Sequence, residues 1–247
     1  MNALAMLGAA LIGLSLGLTG AGGSIITLPV LVYLAGVAPN EAVGLSLFIV
    51  GVAALVGALQ RLRGSGIHLK AALMFALSGM IGAAGGARLT PLVSPQALMV
   101  IFAVLLLVVA LNMLIGKNDE LSPAAECNPI RCLFAGLAVG VLTGFVGVGG
   151  GFLLVPALVK FAKLPLRQAT GSSLAIISFN SASGFLSHFG EAPPRWPLAF
   201  LFAGIAAVGV LAGTVLTKRL PVAHLRQGFA FIVIATGAFV LWQNGVG

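Results

Sequence analysis

The chain has 247 residues, of which 60% are hydrophobic and only 7% are charged, and its mean hydropathy is +1.15. A soluble domain carries about 25% charged residues, so the composition excludes that class and predicts an integral membrane protein in contact with lipid. The net charge of +8 would suggest a nucleic-acid partner in a soluble protein. Here we assign it to basic loops on the cytoplasmic side of a membrane and expect no nucleic-acid partner.

Apolar segments fill the chain in two groups of five, and we expect each segment to be a helix. In chain order the first five cover 3–19, 25–35, 41–60, 69–89 and 95–115. The second five cover 131–146, 152–162, 167–188, 197–216 and 222–242. The second segment of each group has about 11 residues and reaches only about 16 Å, roughly half of a hydrocarbon core. We therefore interpret these two segments as half-helices that begin near the middle of the membrane.

The two groups are copies of one unit, and a constant shift in numbering that places position 20 on position 147 aligns them. The stretch GAGGSIITLPVLVYLAGVAPNEAVGLSLFI (20–49) then lies without a gap on GVGGGFLLVPALVKFAKLPLRQATGSSLAI (147–176). Glycine, proline and serine positions match, and such matches arise less easily by chance between apolar helices than matches of Leu, Val or Ala. The sequence therefore predicts an internal repeat, with a first copy at 1–116, a polar linker at 117–130 and a second copy at 131–247.

The distribution of basic residues predicts how the copies cross the membrane. If the first two segments of each copy enter and leave on the same side, eleven of the 13 Lys and Arg residues lie on one side, and Arg88 and Arg195 lie on the other. The basic side is cytoplasmic by the positive-inside rule. We expect an all-α polytopic membrane protein built from two inverted repeats. Each repeat has three full transmembrane helices and one broken, re-entrant helix pair, and both chain termini are external.

The glycine-rich turns before the two short helices are the main candidate site. Inverted repeats with broken helices are typical of secondary transporters, whose substrates bind near the midplane. Helix N-termini offer free N–H groups to anions, and glycine permits close approach of the backbone. Tight packing of small residues against neighbouring helices is the alternative reading. The candidates are Gly20, Gly22, Gly23 and Ser24 in the first copy, and Gly147, Gly149, Gly150 and Gly151 in the second.

Polar residues of the third segment in each copy extend the candidate site. They are Ser46 in the first copy and Ser172, Ser173 and Asn180 in the second. Hydrogen bonding between helices is the alternative explanation for them. Arg88 and His188 lie near helix ends, where we expect snorkelling to the interface, although either residue could instead attract anions or carry protons.

Residues with enzymatic or metal-binding potential are scattered along the chain. His68, His188 and His224 fall in different segments, and the two cysteines, at 127 and 132, have no histidine neighbour. We predict no cofactor, no metal and no catalytic residues. An enzyme or an assembly scaffold remains a competing interpretation without a supporting motif.

Twin GxGG…P blocks, GAGGSIITLP and GVGGGFLLVP, each followed by a GxSL-type helix start, resemble the TauE/SafE sulfite exporter family over nearly the whole chain. The resemblance implies a transporter in the bacterial or archaeal plasma membrane that carries sulfite or small organosulfonates, with a homodimer possible. We expect export by alternating access around the two glycine turns. A channel-like anion pathway, or a permease for another small solute or ion, is the alternative.

Overall fold

The computed structural model describes residues 3–62, 67–115, 128–146, 151–188, 195–217 and 222–245, and these residues form helices and no strand. Every predicted segment is helical, with ends close to those expected. In chain order the helices are α1 (Ala3–Thr19), α2 (Gly22–Pro29), α3 (Pro39–Leu62), α4 (Leu69–Ala87), α5 (Pro95–Ile115), α6 (Pro129–Val146), α7 (Gly151–Phe161), α8 (Leu166–His188), α9 (Trp196–Thr217) and α10 (Val222–Gly245).

Four helical segments of the described chain are long and apolar enough to cross a membrane, as expected for a polytopic membrane protein. They are Pro39–Leu62, Leu69–Leu92, Pro129–Val146 and Trp196–Thr217. Many large apolar side chains on the outer faces of these helices are exposed, among them Leu73, Ile81 and Val208. Lipid is the solvent that such faces require.

Each of the two short helices contains a proline, which ends the first helix and lies inside the second. Pro29 is the last residue of α2, and a π-helical turn, Val30–Leu34, follows it. In this turn the N–H of Ala35 donates to the carbonyl of Val30 at 3.0 Å. Together α2 and the π turn reach roughly 20 Å, less than a hydrocarbon core of about 30 Å. Pro156 lies inside α7, which has 11 residues.

Glycines hold two helix pairs, α1 against α9 and α4 against α6, at backbone contact distance. A Cβ placed on any of these glycines would overlap a carbonyl of the facing helix. In the first pair the overlaps join Gly13 to Ala206 and Gly17 to Val210, and in the second they join Gly140 to Gly79 and Gly144 to Ala83. Each contact in one pair thus has a counterpart in the other pair, at the positions that the repeat alignment makes equivalent.

Helices α3 and α8 cross the centre of the molecule side by side and run antiparallel. At one end a Cβ on Gly44 would lie 3.8 Å from Cβ of His188, and towards the other end a Cβ on Gly57 would lie 3.1 Å from Cδ1 of Leu174. Both helices are largely buried. They carry most of the polar residues that the sequence marked as candidates.

Candidate functional site

The short helices α2 and α7 begin against each other. A Cβ on Gly151, the first residue of α7, would lie 2.9 Å from Oγ of Ser24, 3.0 Å from Cα of Ala21 and 2.8 Å from Cδ1 of Ile177. The first turns of both short helices therefore pack together and against the middle of α8. Ser24 and Gly151 are brought together here. Gly147, Gly149 and Gly150 lie outside the described residues.

The turn before α2 requires glycine at position 20 and packs against α8. Gly20 has φ +72°, which side chains rarely adopt, and a Cβ there would lie 2.5 Å from the carbonyl oxygen of Thr170. The Ser173 hydroxyl donates to the Gly20 carbonyl at 2.9 Å. Thr170 is four residues into α8, about 6 Å from its start. The turn therefore lies near one end of α8, and the start of α2, which meets Gly151 beside Ile177, lies nearer its middle.

Thr19 caps the first N–H groups of α2. Its Oγ1 accepts from the N–H of Gly22 at 2.7 Å and from that of Ala21 at 3.3 Å. A helix leaves its first N–H groups without intrahelical acceptors, so those of Gly23 and Ser24 remain as the donors of this turn. Gly23 also packs tightly, since a Cβ there would overlap the carbonyl of Ile12. The Cα of Gly23 therefore packs against α1, as the alternative reading expected, while its N–H remains a donor at the turn.

Three of the four candidate serines donate their protons to backbone carbonyls. They keep oxygen lone pairs, which repel an oxyanion, and they do not offer it a free O–H. The acceptors are Ala21 for Ser24, Val43 for Ser46, and both Gly20 and Thr170 for Ser173. The fourth, Ser172, accepts the backbone N–H of His68 at 2.9 Å and so faces the start of α4, away from the turn before α2.

Asn180 and its neighbour Ser181 provide the polar groups that these serines do not. Both side chains are fully buried, and neither Oδ1 and Nδ2 of Asn180 nor Oγ of Ser181 has a hydrogen-bond partner. The amide lies against α4, where a Cβ on Gly79 would be 2.5 Å from Nδ2. Asn180 is three residues beyond Ile177 on α8, one helical turn from the contact between the short helices. Ser181 lies against α3, where a Cβ on Gly51 would be 3.1 Å from its Cβ. Buried polar groups without partners are rare, so each of the two marks a position where a ligand or water would be stabilised.

Two threonines that sequence analysis missed hold the chain just before each glycine turn. Thr217 Oγ1 lies 3.1 Å from the carbonyl of Gly17 and 3.0 Å from that of Leu18. Thr90 Oγ1 donates to the carbonyl of Phe145 at 2.9 Å. The repeat alignment places Thr90 on Thr217 and Leu18 on Phe145. This alignment was the signal that would have found them.

His188 is buried, so our expectation that it snorkels to the interface is wrong. Its side chain is only 7% exposed, its Nδ1 lies 2.9 Å from the carbonyl of Gly184, and its Nε2 has no partner. Arg88 does lie at the exposed end of α4. Glu41, in the first turn of α3, pairs with Arg195, the residue before α9, at 3.0 Å.

The fold is that of a polytopic membrane protein with an internal polar site. Spanning helices surround two short helices, and these touch at their first turns beside buried polar groups without partners. A protein-family model described as "Sulfite exporter TauE/SafE" matches residues 5–240. The chain therefore belongs to the sulfite exporter TauE/SafE family and is a membrane transporter.

Curated relatives agree with this assignment. A "Probable membrane transporter protein" of Xylella fastidiosa is 35% identical over 245 residues, which cover 95% of this chain and 92% of the relative. The "Probable membrane transporter protein YunE" of Bacillus subtilis is 23% identical over 252 residues, 92% of each chain. A "Sulfite exporter TauE/SafE family protein 3" of Arabidopsis thaliana is 24% identical over 118 residues, which cover 47% of this chain and 24% of that protein. No solved structure matches the chain.

Proposed function

We propose that the protein exports a small sulfur-containing oxyanion, sulfite or a small organosulfonate, through a site beside the first turns of α2 and α7. The family description names sulfite export, and the buried polar groups beside these turns are neutral. Neutral donors suit a transported anion, because a buried cation at the same point would hold the anion too tightly for release.

The observation that carries the proposal is the position of the unpartnered amide of Asn180. Its two N–H groups and the hydroxyl of Ser181 are buried donors without acceptors, one helical turn from the place where Gly151 meets Ser24. The N–H groups of Gly23 and Ser24 point from the start of α2, which carries the positive end of a helix dipole. An oxyanion placed between these groups would satisfy donors that otherwise remain unpaired in an apolar interior.

Alternating access follows from treating 1–116 and 131–247 as inverted repeats around this site. The helix contacts support this division, because α1 packs on α9 as α6 packs on α4, and α3 packs on α9 as α8 packs on α4. All four of these interfaces join a helix of one repeat to a helix of the other. Inverted-repeat transporters expose a site of this kind to the two sides of the membrane in turn.

The membrane potential supplies a direction without a coupling ion. Moving one elementary charge through 100 mV is worth about 2.3 kcal/mol, and a cytoplasm held negative drives an anion outward. Under the positive-inside rule the basic loops favour a cytoplasmic linker and external termini.

A binding screen tests the substrate class. Purified protein in detergent is heated with sulfite, thiosulfate, sulfate, small sulfonates, chloride and a neutral sulfone as the uncharged control. We expect sulfite or a sulfonate to raise the melting temperature in a saturable way, and the sulfone to have no effect. Equal effects of all salts, or stabilisation only by a cation series, would contradict the proposal.

A further inference from the structure

Two cationic or titratable side chains occupy equivalent positions in the two copies of the repeat. Arg61 lies in the last turn of α3, and His188, its counterpart in the repeat alignment, is the last residue of α8. Both are at helix ends, and both have a buried nitrogen without a hydrogen-bond partner, Nε of Arg61 and Nε2 of His188. The function described above uses neither residue.

Arg61 and His188 lie at opposite ends of the antiparallel pair formed by α3 and α8. Because α3 and α8 are antiparallel and Gly44 lies level with His188, the stretch of α3 from Gly44 to Arg61 separates the two ends by about 25 Å. Asn180 lies between them, about 12 Å along α8 from His188. The three residues thus lie at the two ends and in the interior of this helix pair.

Arg61 is held at the end of α1 but not saturated there. Its Nη2 donates to the carbonyl of Gly17 at 2.9 Å, a carbonyl that Thr217 also contacts. The guanidinium has five N–H donors, and the Nε–H is buried without an acceptor. The planar fork of a guanidinium is suited to oxyanions, and the bond to Gly17 holds it three residues before the Gly20 turn.

His188 has the complementary geometry at the other end. A carbonyl can only accept, so Nδ1 donates its proton to the carbonyl of Gly184. Nε2, on the other side of the ring, has no partner. In the neutral ring Nε2 accepts a hydrogen bond, and in the imidazolium it donates one. A protonated oxyanion such as hydrogen sulfite has both an O–H group and charged oxygens, so it pairs with either form.

We propose that Arg61 and His188 are the terminal anion-binding positions of the transport path, one at each end, with Asn180 and Ser181 between them. The inference rests on the proposed anion transport. It predicts that each of the two residues contributes to the affinity for substrate that arrives from one side of the membrane, and not from the other. The competing role for Arg61 is that of a structural cap on α1, since a cation at a helix C-terminus is stabilising in itself.

Sided kinetics separate these roles. Right-side-out and inside-out vesicles are prepared from cells that produce each variant, and KM for the flux of labelled sulfite is measured in both orientations. We expect Arg61→Gln to raise KM about tenfold in one orientation and less than twofold in the other. His188→Gln should do the same in the opposite orientation. Arg195→Gln, which removes an exposed cation paired with Glu41, is the matched control and should leave both KM values unchanged.

The outcomes distinguish this inference from the proposed function. Unmodified protein without saturable sulfite flux in either orientation would overturn both. Saturable flux with KM values that neither substitution changes, or that both change equally from the two sides, would overturn the terminal positions alone. If Arg61→Gln does not fold, Arg61→Lys keeps the charge and the bond to Gly17 but loses the fork, and a one-sided rise in KM is again required. A structural cap predicts a lower melting temperature and lower maximal flux with both KM values unaltered.

Discussion

Replacement of Asn180 by leucine should stabilise the protein and weaken its anion binding at the same time. Leucine has the same branched heavy-atom skeleton as asparagine with larger, apolar end groups, and the amide of Asn180 is fully buried with neither polar atom paired. An unsatisfied buried polar group costs about 1–3 kcal/mol, and leucine removes this cost. For a chain of this size we expect a rise in melting temperature of roughly 2–12 °C without substrate.

The same substitution removes two N–H donors from the proposed site. A hydrogen bond to a charged group contributes about 1.5–3 kcal/mol, which corresponds to a roughly 10- to 100-fold loss of affinity for the anion. The dissociation constant for sulfite is measured by calorimetry on purified protein, and the melting temperature is measured on the same preparation. A gain in stability combined with a loss of affinity is the signature of a residue kept for binding.

Ser178→Ala is the matched control on the same helix. The hydroxyl of Ser178 already donates to the carbonyl of Ala175 at 2.8 Å, so its removal should change affinity less than twofold. If Asn180→Leu melts at a lower temperature than the unmodified protein and still binds sulfite with the same affinity, Asn180 is a structural residue and the assignment of the site is wrong.

Two further predictions concern the contact between the short helices and the orientation of the chain. Gly151→Val should reduce flux at least tenfold while the protein still inserts, because its Cβ would lie 2.8–3.0 Å from Ile177, Ser24 and Ala21. Gly204→Val is the control, because position 204 has open space around it. Normal flux in Gly151→Val would refute the role of the contact. A tag after Gly247 should be labelled by impermeant reagent on intact cells, and labelling only after lysis would contradict the proposed topology.

Helix positions were predictable because they follow from local apolar runs. The segment at 95–115 and that at 3–19 have the predicted ends, and the short second segment of each copy was evident from its length alone. The contact of Ser24 with Gly151 agrees with the sequence-based expectation that both short helices begin near the middle of the membrane. Two half-helices that both begin near the middle of the membrane, as the sequence predicts, would have their first turns at similar depth.

The roles of individual polar groups were not predictable, because each depends on what a neighbouring helix presents. Ser173 was a candidate donor to substrate, yet its proton is taken by the carbonyl of Gly20. Asn180 is left unpaired because α4 presents Gly79 to it, and nothing in the sequence of α8 specifies that neighbour. Arg61 was counted only as a loop charge, although it reaches the end of α1.

Counterflow of labelled sulfite in proteoliposomes tests the central claim most directly. Vesicles containing the purified protein are loaded with unlabelled sulfite, and uptake of trace labelled sulfite is followed against vesicles loaded with chloride. A carrier with one alternating-access site predicts saturable uptake that internal sulfite accelerates, and little acceleration in Asn180→Leu. Uptake that rises linearly with concentration, is not accelerated by internal sulfite and is the same in the variant would contradict the account.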